Sequence, residues 1–179
     1  MSNTRFISCV SAALVGVAFA SPAWPEPALW QHHQADIQYI AAGTSYSCNG
    51  IEDKVRQILL YAGARQDLRV HASGCVQGPF LPSHMASVRV DFYALAPAAD
   101  APTAEVIPAQ WVPLSMTPTR AQFLQPSDCD LVRAMKRVLT QSFSWQGLEF
   151  ATSCLPDAGS VNSFAVKGAV LQPAARQSG

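Results

Sequence analysis

The feature that most constrains this chain is an apolar pattern that occurs twice, 80 residues apart. Ile51, Val55, Ile58 and Leu59 have the spacing of a helix with one apolar face. Leu131, Met135, Val138 and Leu139 repeat that spacing, and Lys136 falls on Arg56. The match continues without a gap: Gln66 meets Gln146, Leu68 meets Leu148, Val70 meets Phe150, and Ser73 meets Ser153. Cysteines bracket each copy, Cys48 and Cys75 in the first, Cys129 and Cys154 in the second. Amphipathic helices alone are common. Pattern, loop length and flanking cysteines together predict an internal repeat.

Each copy reads βαββ. Residues 35–41 alternate as a strand with Ile37 and Tyr39 on one face. A helix starts near Asn49, with Glu52 at capping-box spacing, and ends at Gly63. Leu68, Val70 and Ala72 alternate as a second strand, and Val88, Val90 and Phe92 as a third. The second copy follows with Val112, Leu114 and Met116. Its helix runs from near Ser127, with Asp130 at N3, to about Phe143. Leu148 and Phe150 then form a strand, and residues 164–171 close the unit. The expected fold class is α+β: a two-layer sandwich whose mostly antiparallel sheet carries two helices on one face.

Neither copy has enough apolar surface to stand alone, so residues 35–172 are expected to form one domain with repeats at 35–95 and 109–172. Residues 21–34, rich in proline and lacking periodicity, read as an extended arm. Residues 96–108 read as a Pro/Ala linker and 173–179 as a flexible tail.

Residues 1–20 have the order of a secretory signal: Arg5, an apolar run over 10–20, then Ala18-Phe19-Ala20. Cleavage is expected after Ala20 or Ala23. The run is too short for a stable spanning helix, so no membrane insertion is expected after cleavage. Cys9 precedes the apolar run, which is the wrong order for lipidation. Four cysteines then remain, and an even count in an exported chain reads as a disulfide framework. Three pairings are possible; the repeat favours Cys48–Cys75 and Cys129–Cys154. The alternative use is thiol chemistry, since a cysteine in the first turn of a helix is drawn toward thiolate. No C-x-x-C pair supports it.

Composition narrows function by exclusion. Hydrophobic residues make up 49% and charged residues 13%, which argues against whole-chain disorder. Twelve basic residues balance twelve acidic ones, so there is no electrostatic footprint for nucleic acid. The sequence lacks G-x-S-x-G, H-E-x-x-H, P-loop and G-x-G-x-x-G motifs, and no cofactor is implied. The functional candidates are His71 on a strand, His84 in a Pro/Gly loop, and His32 and His33 in the arm. Histidine with methionine raises copper handling, but Met116 and Met135 sit at apolar positions where packing is the ordinary use. Glu52, Asp53, Asp128 and Asp130 open helices, where capping accounts for them. Asp91 and Arg89 read as an exposed strand charge pair.

The run 45–56 (SYSCNGIEDKVR), with Gly63-Ala64-Arg65 and Ser73-Gly74-Cys75, resembles small secreted proteins of proteobacteria with no assigned activity. The resemblance implies a Gram-negative periplasmic or secreted setting and brings no catalytic residue. Two functions follow as expectations. The first is a non-enzymatic envelope protein binding a protein partner or small ligand. The second is metal (copper) or thiol-redox handling.

Overall fold

The computed structural model describes residues 25–40, 44, 46–75, 85–98, 105–154 and 162–174. The signal segment, residues 99–104 of the expected linker and the tail beyond residue 174 lie outside them, as does His84. Among the described residues six strands form one antiparallel sheet: β1 (Glu26–Ile40), β2 (Arg69–Ser73), β3 (Met85–Pro97), β4 (Ile107–Met116), β5 (Trp145–Ser153) and β6 (Ser163–Pro173). Their order is β2-β3-β1-β4-β6-β5. Helices α1 (Cys48–Tyr61), α2 (Cys129–Ala134) and α3 (Lys136–Ser142) complete an α+β fold dominated by sheet.

Most apolar positions read from the sequence are buried, while Val70, Val112, Leu148 and Phe150 are half-buried. Ile51, Val55, Ile58 and Leu59 of α1 share one core with Val88, Val90 and Phe92 of β3 and Leu131, Val138 and Leu139 of α2 and α3. The side-chain alternation of a strand decides which strand residues enter it. In β3 the even-numbered residues 86–94 are buried, while Arg89 is exposed and Asp91 and Tyr93 are half-buried. Gly63 ends α1 with φ +99°, a conformation that glycine adopts without strain. A Cβ there would lie 3.0 Å from Gln172 of β6.

Several boundaries differ from expectation. Residues 26–34 are not an arm but the first part of β1. Their periodicity is hidden because the buried face switches along the strand: Ala28 is buried on one side, Ile37 and Tyr39 on the other. Residues 96–97 and 107–108 belong to β3 and β4 rather than to a linker. The second helix is two pieces broken at Met135, whose ψ of −4° leaves the α-helical range, and a 3-10 turn at Pro126–Asp128 precedes them. The N-cap of α1 is Ser47, which accepts from Gly50 N. Glu52 is therefore free to leave the cap, and its carboxylate accepts from Ala72 N at 2.7 Å.

Among the described residues β1 and β4 pair only at their starts, Glu26–Ala28 against Ile107–Ala109. From there they run in opposite directions. Corresponding pairs flank this junction. Ala28 opposes Pro97 and Trp30 opposes Leu95, while Ala109 opposes Pro173 and Trp111 opposes Leu171. Ala28, Leu95, Ala109 and Leu171 form a second, small core, with Trp30 and Trp111 packed against it.

Both expected bridges are present, Cys48–Cys75 and Cys129–Cys154, with Cα separations of 5.2 and 5.5 Å. Each ties the start of a helix to the end of the following strand. None of the described helices is long and apolar enough to cross a membrane.

Candidate functional site

The exposed face of β1, β3 and β2 gathers polar and aromatic side chains in rows set by strand register. His32 opposes Tyr93, Gln34 opposes Asp91 beside Arg69, and Asp36 opposes Arg89 beside His71. Cross-strand neighbours on one face lie about 5 Å apart at Cβ, close enough to interact directly. Asp91 is the hub. Its carboxylate accepts from His32 Nε2 at 2.9 Å and from Gln34 Nε2 at 2.8 Å. The His32 bond, and then the Gln34 bond, hold its pKa below the usual carboxylate value. Asp91 is an acceptor only, so Nε2 of His32 carries the proton in this pair.

The aromatic end is built on Arg65, in the turn after α1. Its guanidinium lies 3.9 Å from the Tyr93 ring centroid and 5.7 Å from that of Trp30. A two-pronged bond to Asp67, at 2.8 and 2.7 Å, fixes its plane. The backbone helps, because Arg65 N donates to Tyr93 O. His32 packs its ring 5.0 Å from Tyr93. A shallow basin of about 520 Å³ continues this face over Gln34, Asp36, Arg89 and Asp91.

The histidine candidates separate. His32 and His71 reach this face, where the exposed His71 lies 3.6 Å from Glu52 Oε1 at the sheet edge. His33, the next residue along β1, points the other way and stacks on Phe92. Burial, and then the neighbouring His32, lower its pKa. Two adjacent histidines on one strand therefore cannot converge on a single ion. Among the described residues no group of three or more His, Cys, Asp or Glu is placed to hold a metal. Met116 and Met135 are fully buried in the core. All four cysteines of the thiol reading are in bridges.

Two expectations about carboxylates change. Arg89 pairs not with Asp91 but across to Asp36, at 3.0 Å. Asp128 is more than a cap. It is buried, accepts from Gln125 N at 2.8 Å, and also receives Lys54 Nζ and the Tyr46 hydroxyl. Asp130 meets Arg133 at 2.6 Å. Burial and these two carboxylates push Tyr39 up to about 12; burial and the Asp128 bond push Tyr46 higher still. This interior cluster joins the first half of the chain to the second.

Trp30, Arg65 and Tyr93 carry the exposed face, yet sequence reading did not single them out. Their signal is a register: 63 positions separate Trp30 from Tyr93, and only pairing brings them together. Chemically the face offers stacking surfaces, a fixed guanidinium and an ordered row of donors and acceptors. His32 is oriented like a base, but among the described residues no hydroxyl or thiol hydrogen-bonds to it.

No protein family, curated protein or solved structure matches the chain.

Proposed function

We propose that the chain is an exported, disulfide-stabilised binding protein of the Gram-negative cell envelope, without turnover, that engages a partner through the exposed face of β1 and β3. The observation that carries this reading is the stack of Arg65 on Tyr93 and Trp30 beside the His32–Asp91–Gln34 network. Aromatic and arginine side chains are enriched where proteins bind, because they contribute large contact area with directional bonds. Two bridges are in keeping with an oxidising compartment, as the signal-like residues 1–20 are. The same proposal takes the domain as two βαββ units in a two-layer sandwich. The matched positions Trp30 and Trp111, Leu95 and Leu171, and Pro97 and Pro173 support a duplication.

The test places a photoreactive amino acid at Tyr93 in producing cells, with Arg120, exposed elsewhere, as the control position. A discrete adduct at 93, absent at 120 and lost with His32→Ala, is the expected result. Equal adducts at both positions, or none at 93, would overturn the reading.

A further inference from the structure

We propose that the free edge of β1 accepts an extended peptide as an added strand, a site separate from the exposed face described above. Backbone direction carries the argument. Pro27 O accepts from Ala98 N on the β3 side, and β1 pairs with β3 without a register shift. Alternate residues of an antiparallel strand turn N–H and C=O to opposite edges. Trp30, His32, Gln34, Asp36 and Gln38 therefore present their backbone groups to the edge away from β3. Among the described residues β4 pairs with β1 only as far as Ala28, and no strand covers the rest.

The free edges of β4 and β2 are blunted, in contrast to that of β1. On β4 the same alternation, set by Ala174 N donating to Pro108 O, turns Trp111, Pro113 and Ser115 to its free edge. Pro113 has no N–H to offer. The Ser115 carbonyl accepts from the Tyr61 hydroxyl at 3.3 Å. On β2 the outward Ala72 N–H is taken by Glu52. Blocking an edge with proline or a side chain is the usual defence against unwanted pairing. β1 has no proline from Trp30 to Ile40, and among the described residues no side chain bonds its outward backbone groups there.

The shape beside that edge selects the occupant. A groove of about 610 Å³ runs along residues 34–38, with Ala134, Val138 and the exposed Arg137 and Gln141 on its helical side. One strand fits between two walls. A second copy would bring its own helical wall to the same edge, which favours a slim single strand over a second copy as the occupant. Asp36 is engaged by Arg89, whereas Arg137 bonds the Gln141 amide and enters no ion pair among the described residues. The peptide is therefore extended, with small apolar side chains toward Ala134 and one acidic side chain toward Arg137. Strand addition draws affinity from main-chain bonds and selectivity from alternate side chains.

The probe is a labelled, end-capped heptapeptide of alternating serine and valine with glutamate replacing one serine. Its partner is the oxidised, full-length exported protein. Anisotropy titration is expected to show binding that N-methylation of the peptide backbone abolishes. Gln38→Pro removes an outward amide and spares the β1–β3 ladder; it should weaken binding by about tenfold or more with folding retained. Should that variant fail to fold, Arg137→Glu decides: preference should shift from the glutamate peptide to its lysine counterpart. Tyr93→Ala, on the other face, should leave affinity unchanged, which separates this site from the binding face. No binding at millimolar peptide, equal binding of the N-methylated peptide, or loss with Tyr93→Ala would overturn the proposal. So would self-association that Gln38→Pro abolishes, since a second copy would then hold the edge.

Discussion

Lys54 and Asp128, 74 residues apart in the chain, meet as an ion pair at 2.8 Å. Lys54 lies on α1 and Asp128 in the 3-10 turn before α2, so the pair pins the first half of the chain to the second. Asp128 has 3% of its side chain exposed and Lys54 has 23%. Removing the cation leaves a buried carboxylate without its charge partner, which is costlier than losing a surface pair.

Lys54→Met is therefore expected to destabilise the protein by about 3 kcal/mol, or roughly 10 °C in Tm. Adding Asp128→Asn should recover part of the loss, because the orphaned charge goes with it. Calorimetry of both variants checks this. A double variant worse than the sum of the two singles would contradict it.

The bridges close loops of 27 and 25 residues. Replacing Cys48 and Cys75 together by alanine should cost about 2–5 kcal/mol through the added freedom of the unfolded chain. Urea titration of this variant measures the loss. Non-reducing peptide maps should retain Cys129–Cys154.

Alkaline pH should unfold the protein early. Tyr39 is held up at about 12 by burial and then by Asp130 and Asp128, and Tyr46 is raised further. An unfolded tyrosine ionises near pH 10. Between about pH 10 and 12 the folded state binds more protons, so stability falls as pH rises through that window. Tyr39→Phe should flatten the decline in Tm.

On the acid side two groups act in the same direction. His33 has a folded pKa lowered by burial and then by His32, so the unfolded chain takes up its proton first. Stability should fall as pH drops below about 6.5. Asp91, lowered by His32 and then Gln34, adds a second loss below about pH 4. His33→Gln should remove the upper slope and Asp91→Asn the lower one in Tm measured from pH 7 to 3.

Helix faces were legible because their signal is local. Ile51, Val55, Ile58 and Leu59 lie within one helix, and all four are buried as their spacing requires. The break at Met135 was not legible, since no proline or glycine marks it. The start of β1 was hidden for a related reason. Ala28 faces the small core and Ile37 the large one, so no single alternation runs through the strand.

Of the candidate site, the sequence offered His32 and His71 as residues but not as neighbours of anything. Asp91 bonds His32 across 59 positions, and Arg65 stacks on Trp30 and Tyr93 through a turn and two strands. Local patterning thus determined the helix faces, most strand positions and the preferred cysteine pairs, because burial and bridging act on residues a few positions apart or on repeated spacings. Register, edge exposure and the pairing of Lys54 with Asp128 were decided only by tertiary structure. A strand shifted by one residue would turn each side chain to the other face with no change in composition or local spacing.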